Sequence, residues 1–156
     1  MKPGSEITIK TFQPDNQDEV KQLILAGLVQ HFGVLDPHLN PDLNDIASSY
    51  AGAIFLVAWH QARIVGTGAL IPRSTDGAEI VRMSVAQDMR RMGIGRLLLL
   101  RLCEKARIAG YNHLVLETTS TWHEVITFYQ QFGFHITHQH NGDTYFALDL
   151  SELPDR

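Results

Sequence analysis

The chain has a single cysteine, Cys103, in 156 residues. One thiol cannot close an intrachain disulfide, so the fold is held by packing and hydrogen bonding. Cys103 falls inside a leucine-rich stretch and reads as a buried structural thiol rather than a nucleophile. No apolar run approaches the ~18–20 residues that cross a bilayer. The opening MKPGSEITIK lacks the apolar centre of a secretory signal, so cytoplasmic residence is the expectation. An excess of positive charge is missing too. The formal net charge is −4, which argues against nucleic acid as the main partner. There are no internal repeats and no low-complexity segments. Two phosphate-binding signatures are also absent. No GxxxxGK run followed by Ser or Thr occurs, and the glycine pair Gly93 and Gly95 has Leu98 where a dinucleotide fingerprint needs its third glycine.

The length suits one domain over residues 1–156 with a single core. Glu6 to Phe12 alternates as a strand. Asp15 to Phe32 reads as a helix with Asp15 as N-cap, its apolar face formed by Val20, Leu23, Ile24 and Leu28, closed by Gly33. A loop follows to Pro41. Asn40-Pro41 then reads as the start of a short helix to about Tyr50. Ala53–His60 and Ile64–Ile71 form an expected hairpin, and Ala78–Val85 a further strand. A helix over Gly95–Ala109, a strand over His113–Thr119 and a helix over about Thr121–Gln131 come next. The final pair, Phe134–His140 and Tyr145–Leu150, flanks Asn141-Gly142-Asp143, a strong hairpin turn.

The most informative segment joins the strand ending at Val85 to the helix beginning at Gly95. The turn between them carries Arg90, Arg91, Met92, Gly93 and Ile94, and the helix goes on through Arg96. The first N–H groups of a helix lack intrahelical partners and sit at the positive end of its dipole. Glycine lets backbone approach an anion closely, and arginine adds charge-assisted hydrogen bonds. A strand, an Arg/Gly turn and a helix N-terminus together suit a phosphate group. Six of the thirteen basic residues lie between Arg90 and Arg107.

This pattern, Arg-x-x-Gly-x-Gly at Arg90, Gly93 and Gly95, resembles the acetyl-CoA loop of the GCN5-related N-acetyltransferase (GNAT) family. The segment EIVRMSV resembles the family's fourth strand. HLVLETT followed by TWHEVITFYQQFGF resembles its fifth strand, fourth helix and terminal Tyr…Gly-Phe signature. The agreement in order and spacing covers roughly residues 50–150. The resemblance implies a GNAT-like α/β fold: a mixed, mostly antiparallel central sheet of about seven strands flanked by about four helices. It implies acetyl-CoA as co-substrate, an amine acceptor, no metal, and direct attack in a ternary complex. Homodimers are common among such proteins, although nothing in the sequence specifies an interface. A non-catalytic acyl-CoA-binding module would predict the same ligand and differ only at turnover.

The resemblance also assigns roles. Main-chain groups of Met83, Ser84 and Val85 would bond the pantetheine arm and supply an oxyanion N–H. Residues Arg90, Arg91, Met92, Gly93, Ile94, Gly95 and Arg96 would hold the pyrophosphate. Tyr129 would face the sulfur and protonate the departing thiolate. On spacing alone, Trp122, Val125, Tyr129 and Phe132 are simply a helical apolar stripe. Glu79 is the first candidate for a base, with Glu117 and His123 behind it. Strand alternation would place Glu79, Val81, Met83 and Val85 on one face. Many relatives have Asn where this chain has Trp122, so the contact there would differ or pass to Ser120 or Thr121.

Residues 11–60 carry Asp15, Asp18, Glu19, Asp36, Asp42 and Asp45 against Lys21 alone, a balance that favours a cationic acceptor. Of the eight histidines, His138 and His140 would share a strand face while His135 faces away, a poor basis for a metal site.

Overall fold

The computed structural model describes residues 6–36 and 38–153. Strand β1 (Ile7–Thr11) leads into helix α1 (Gln17–Phe32), followed by the one-turn helix α2 (Ile46–Ser49). Strands β2 (Ile54–His60), β3 (Arg63–Pro72) and β4 (Gly77–Val85) form a meander. Helix α3 (Ile94–Ile108), strand β5 (His113–Thr119), helix α4 (His123–Phe132), and strands β6 (His135–His140) and β7 (Asp143–Asp149) complete the order. One seven-stranded sheet results, in the order β1-β2-β3-β4-β5-β7-β6. Every neighbouring pair is antiparallel except β4 and β5.

Each sheet face has its own core. On one face α3 buries Ile94, Leu98, Leu99, Leu102, Cys103 and Ala106, a helical stripe, against the sheet. Fully burying each such leucine contributes about 1.5–3 kcal/mol. Tyr129 and Phe132 of α4 join this cluster. On the other face Val20 and Ile24 of α1 and Ile46 of α2 pack on Phe55, Val57 and Ala69. Cys103 is buried, and burial pushes its thiol up to about 11, consistent with an inert structural role.

Several local expectations need correction. Asp15 is not an N-cap: Pro14–Asn16 form a 3-10 turn, and Asn16 Oδ1 accepts from Gln13 N–H (2.8 Å). Residues 41–50 do not form one helix. A 3-10 turn, Pro41–Asn44, is followed by α2, which Asp45 caps through Ser48 N–H (3.2 Å). Alternation also fails in two strands. In β4, Arg82 adopts φ +54° and the register with β3 shifts between Thr67 and Ala69. This is a bulge, and one extra residue reverses which face the following side chains take. Val81 therefore packs on the α1 face, while Met83 and Val85 pack on the α3 face. In β6 a shift between Ile136 and His138 has the same effect. His135, His138 and His140 pair with Ala147, Tyr145 and Asp143, alternate residues of β7, so all three histidines share one face. Among the described residues, no group of three or more His, Cys, Asp or Glu is placed to hold a metal ion. No described helix is long and apolar enough to cross a membrane.

Candidate functional site: an opening between two parallel strands

Strands β4 and β5 pair only at Gly77, Ala78 and Glu79, opposite His113, Leu114 and Val115. Beyond that point β4 continues to Val85 and β5 to Thr119 without pairing. Two parallel strands that part leave main-chain donors and acceptors facing a gap. An extended ligand can bond such edges as an added strand would. Met83, Ser84 and Val85 lie on the open part of β4.

The Arg/Gly turn stands at the end of this opening. After a short 3-10 turn, Gln87–Met89, the chain takes positive φ at Arg91 (63°) and Gly93 (85°). Such turns direct successive N–H groups into a concave, anion-attracting nest. The first α3 bond recorded from this turn runs from Leu97 N–H to Gly93 O (3.0 Å), so the N–H groups of Ile94, Gly95 and Arg96 precede it. Gly95 is needed for space rather than for backbone freedom. A Cβ there would lie 3.2 Å from Phe128 Cζ of α4.

The basic residues divide by what they touch. Arg90 Nε donates to Val85 O (3.2 Å), bracing the turn against β4. Arg91 reaches Glu124 at 3.2 Å with both side chains largely exposed, a pair worth little. The Arg96 guanidinium sits 5.7 Å from the centre of the Phe132 ring. Arg101 pairs with Glu104. Arg107 donates to Leu150 O and Leu153 O, which makes it a clasp for the C-terminal segment rather than a phosphate ligand.

Tyr129 is buried, ringed by Phe128, Phe134 and Phe146 at 5.3–5.9 Å between centroids. Its hydroxyl has no hydrogen bond among the described residues, although no buried polar side-chain atom is left unpartnered. The oxygen therefore keeps some accessible surface. Burial pushes its pKa well above the ordinary phenol value, so it stays protonated.

Glu79 is nearly buried and is bonded by the Arg73 guanidinium through Oε1, which leaves Oε2 for another partner. Glu117 is exposed and lies across from Tyr145 in the β5–β7 register. As hydrogen-bond acceptor for that phenol, Glu117 raises its pKa. Tyr145 also stacks on His138, with centroids 4.4 Å apart. Glu79 and Glu117 share a sheet face, through Val115, at the place where β4 and β5 part. His123 opens α4. Of the alternatives to Trp122, Ser120 is engaged with Thr144 (2.8 Å). The Trp122 ring stacks on His31 of α1 (4.0 Å) and meets Phe32 (5.2 Å). Burial, helped by the charge of Arg90, lowers the His31 pKa.

One cluster escaped the sequence reading. Arg82, at the β4 bulge, donates to both carboxylate oxygens of Asp42 (3.0 and 2.7 Å) and to Asn40 Oδ1 (3.1 Å). Tyr50 donates to the same carboxylate (2.6 Å), and Thr67 Oγ1 donates to Arg82 O (2.8 Å). Burial acts to raise the Asp42 pKa, but the bonds from Arg82 and Tyr50 outweigh it and hold the pKa below the usual carboxylate value. Burial and the bond to Asp42 push the Tyr50 phenol up to about 12. A lone arginine inside the otherwise uncharged run IVRMSV was the available signal.

A parallel strand pair that opens beside a turn with positive φ at Arg91 and Gly93 gives an α/β fold whose opening suits an extended phosphorylated ligand. The profile of the "Acetyltransferase (GNAT) family" matches residues 21–134. The chain belongs to that family. It is 38% identical over 120 residues to "IAA acetyltransferase" of Azospirillum brasilense, covering 76% of this chain and 78% of that protein. It is 33% identical over 114 residues to "Probable N-acetyltransferase camello" of Xenopus tropicalis, covering 69% of this chain and 52% of that one. The chain thus spans about half the length of several curated relatives it matches. Among solved structures, a GNAT-family acetyltransferase of Staphylococcus aureus Mu50 superimposes with TM-score 0.84 at 22% identity, covering 92% of this chain and 99% of that one. PaiA N-acetyltransferase of Thermoplasma acidophilum, solved with coenzyme A, gives TM-score 0.81 at 17% identity, covering 92% and 98%.

Proposed function

We propose that this protein transfers acetyl from acetyl-CoA to a primary amine by direct attack in a ternary complex. The parting of β4 and β5 beside the Arg/Gly turn carries this reading. The nest at Arg91–Gly93, with the N-terminus of α3, suits a pyrophosphate. The open edge of β4 at Met83–Val85 suits the amide-bearing pantetheine arm, and an N–H of that edge suits the oxyanion. Arg90 braces the turn, and Arg96 lies on the first turn of α3.

The amine lone pair attacks the thioester carbonyl carbon. A C–N bond forms, the C–S bond breaks, and the thiolate takes its proton from Tyr129 Oη. The surplus ammonium proton leaves across the acidic face of Glu79 and Glu117. Glu79 Oε2 and the exposed Glu117 carboxylate are the two acceptors for it, and Tyr129 is reprotonated in turn.

Calorimetric titration with acetyl-CoA, with ATP and NAD as controls, tests the donor half. Selective micromolar binding is expected, followed by amine-dependent release of free thiol. No binding of acetyl-CoA would overturn the proposal.

A further inference from the structure

Helix α1 packs on one face of the sheet through Val20 and Ile24, and α4 packs on the other through Tyr129 and Phe132. A sheet paired along its whole length would keep the two helices apart, yet their ends touch. His31, in the last turn of α1, stacks on Trp122, the residue before α4. The ring centroids are 4.0 Å apart and the planes 27° from parallel, and Phe32 meets the same indole at 5.2 Å.

The strands show where this contact lies. Gly27 of α1 sits so close to the open part of β4 that a Cβ would come within 3.3 Å of Ser84 Oγ. His31 is four residues further along α1 and so on the same helix face. Trp122 lies just past the end of β5, where its N–H donates to Thr119 O (3.0 Å). Helix α1 therefore touches β4 at Gly27 and reaches the β5 side at His31, at the end of the opening where the two strands no longer pair. The Arg/Gly turn stands at the same end, with Arg90 near enough for its charge to act on His31. An extended ligand running from that turn into the opening has to pass between β4 and Trp122, the span that the stack bridges.

The bridge can part cheaply. His31 is exposed and Trp122 half-buried, so separating the rings opens neither core. A stacked aromatic pair favours the closed arrangement by a factor of about threefold to tenfold. Such a bias does not exclude a ligand, but it lowers the apparent affinity by about the same factor.

We propose that the His31–Trp122 stack is a latch, closed in the free protein, that must part before acetyl-CoA seats in the opening. The inference rests on the donor-binding half of the reading above and adds a control on donor entry.

Calorimetry gives the acetyl-CoA Kd for the parent, His31→Ala and His31→Phe. Because the latch opposes binding, His31→Ala should tighten the Kd by about threefold to tenfold. His31→Phe, which keeps a ring on the indole, should bind as the parent does. A Kd that is unchanged or weaker in His31→Ala overturns the latch and leaves acetyl transfer standing, because it makes His31 a bystander or a support for the ligand. Equal tightening in both variants also overturns it, since the stack would then not be the cause. Failure of the parent to bind acetyl-CoA overturns the acetyl-transfer reading and the latch together.

Discussion

Replacing Tyr129 with phenylalanine separates catalysis from packing. The ring contacts to Phe128, Phe134 and Phe146 are all retained by phenylalanine. The hydroxyl makes no hydrogen bond to a described residue, so its loss leaves no partner unsatisfied. Structural reasoning alone therefore predicts a Tm that is unchanged or slightly higher. Removing a hydroxyl that lacks a protein partner and keeps some accessible surface changes stability by about 1 kcal/mol at most. Catalysis should respond in the opposite sense. General acid assistance is worth about 10²–10⁴-fold. A thiolate is a comparatively good leaving group, so the low end applies. A 10²-fold fall in kcat corresponds to about 2.7 kcal/mol in the barrier. Because burial raises the phenol pKa, Tyr129 stays protonated through the assay range, and the variant should differ from the parent by a nearly constant factor across pH 7–10. The assay is thiol release at saturating acetyl-CoA, with CoA affinity followed by calorimetry. An unchanged kcat with unchanged Kd would remove Tyr129 from the mechanism. A large fall in Tm would show that the hydroxyl has a structural partner and refute the packing argument.

Three further predictions follow from named contacts. Gly95→Val should weaken acetyl-CoA binding tenfold or more in calorimetry, because a branched side chain must push Phe128 off the first turn of α3; Gly95→Ala, with its Cβ at 3.2 Å, should do so only mildly. Arg82→Ala should cost about 2 kcal/mol by stranding Asp42 and Asn40, and so lower Tm by about 4–8 °C. The depressed Asp42 pKa makes the stability difference between parent and variant full above about pH 4 and lost as pH falls through the folded value. Thermal melts of both proteins from pH 3 to 11 test this, and a gap of constant size would contradict it. Glu117→Gln and Glu79→Gln should each lower kcat/KM if the ammonium proton leaves across their shared face, with the loss of the acidic limb of the pH–rate profile identifying the base; intact profiles in both variants would place the proton's exit in solvent.

Short-range patterns in this sequence translated directly into structure. The stripe from Ile94 to Ala106 faces the sheet as its period requires. Asn141 and Gly142 take φ of 50° and 84°, which a two-residue hairpin turn needs. The Arg/Gly turn sits between strand and helix where its composition placed it. Side-chain facing was not legible wherever a bulge intervened. Alternation is a local rule, but whether a strand admits one extra residue depends on its neighbour's register, which lies elsewhere in the chain. At Thr137 a bulge turned His135 to the face of His138 and His140. The Arg82–Asp42 pair joins residues forty positions apart, and no local pattern announces such a contact. Asp42 read only as one of several surface acids.

The bulge at Arg82 is also where fold and proposed chemistry meet. A non-glycine residue at φ +54° is held there against an intrinsic cost of about 1–3 kcal/mol. Three contacts hold it: Thr67 Oγ1 on its carbonyl, and Asp42 and Asn40 on its guanidinium. The reversal that follows turns Met83 into the α3 core. It changes the course of β4 after Val81, the stretch in which β4 no longer pairs with β5. Asp42 belongs to the segment between α1 and α2. The same carboxylate thus ties the open part of β4, proposed above to hold the donor, to the segment between α1 and α2. Breaking it should therefore loosen the open part of β4 and raise KM for acetyl-CoA, and an unchanged KM in Asp42→Ala would contradict this.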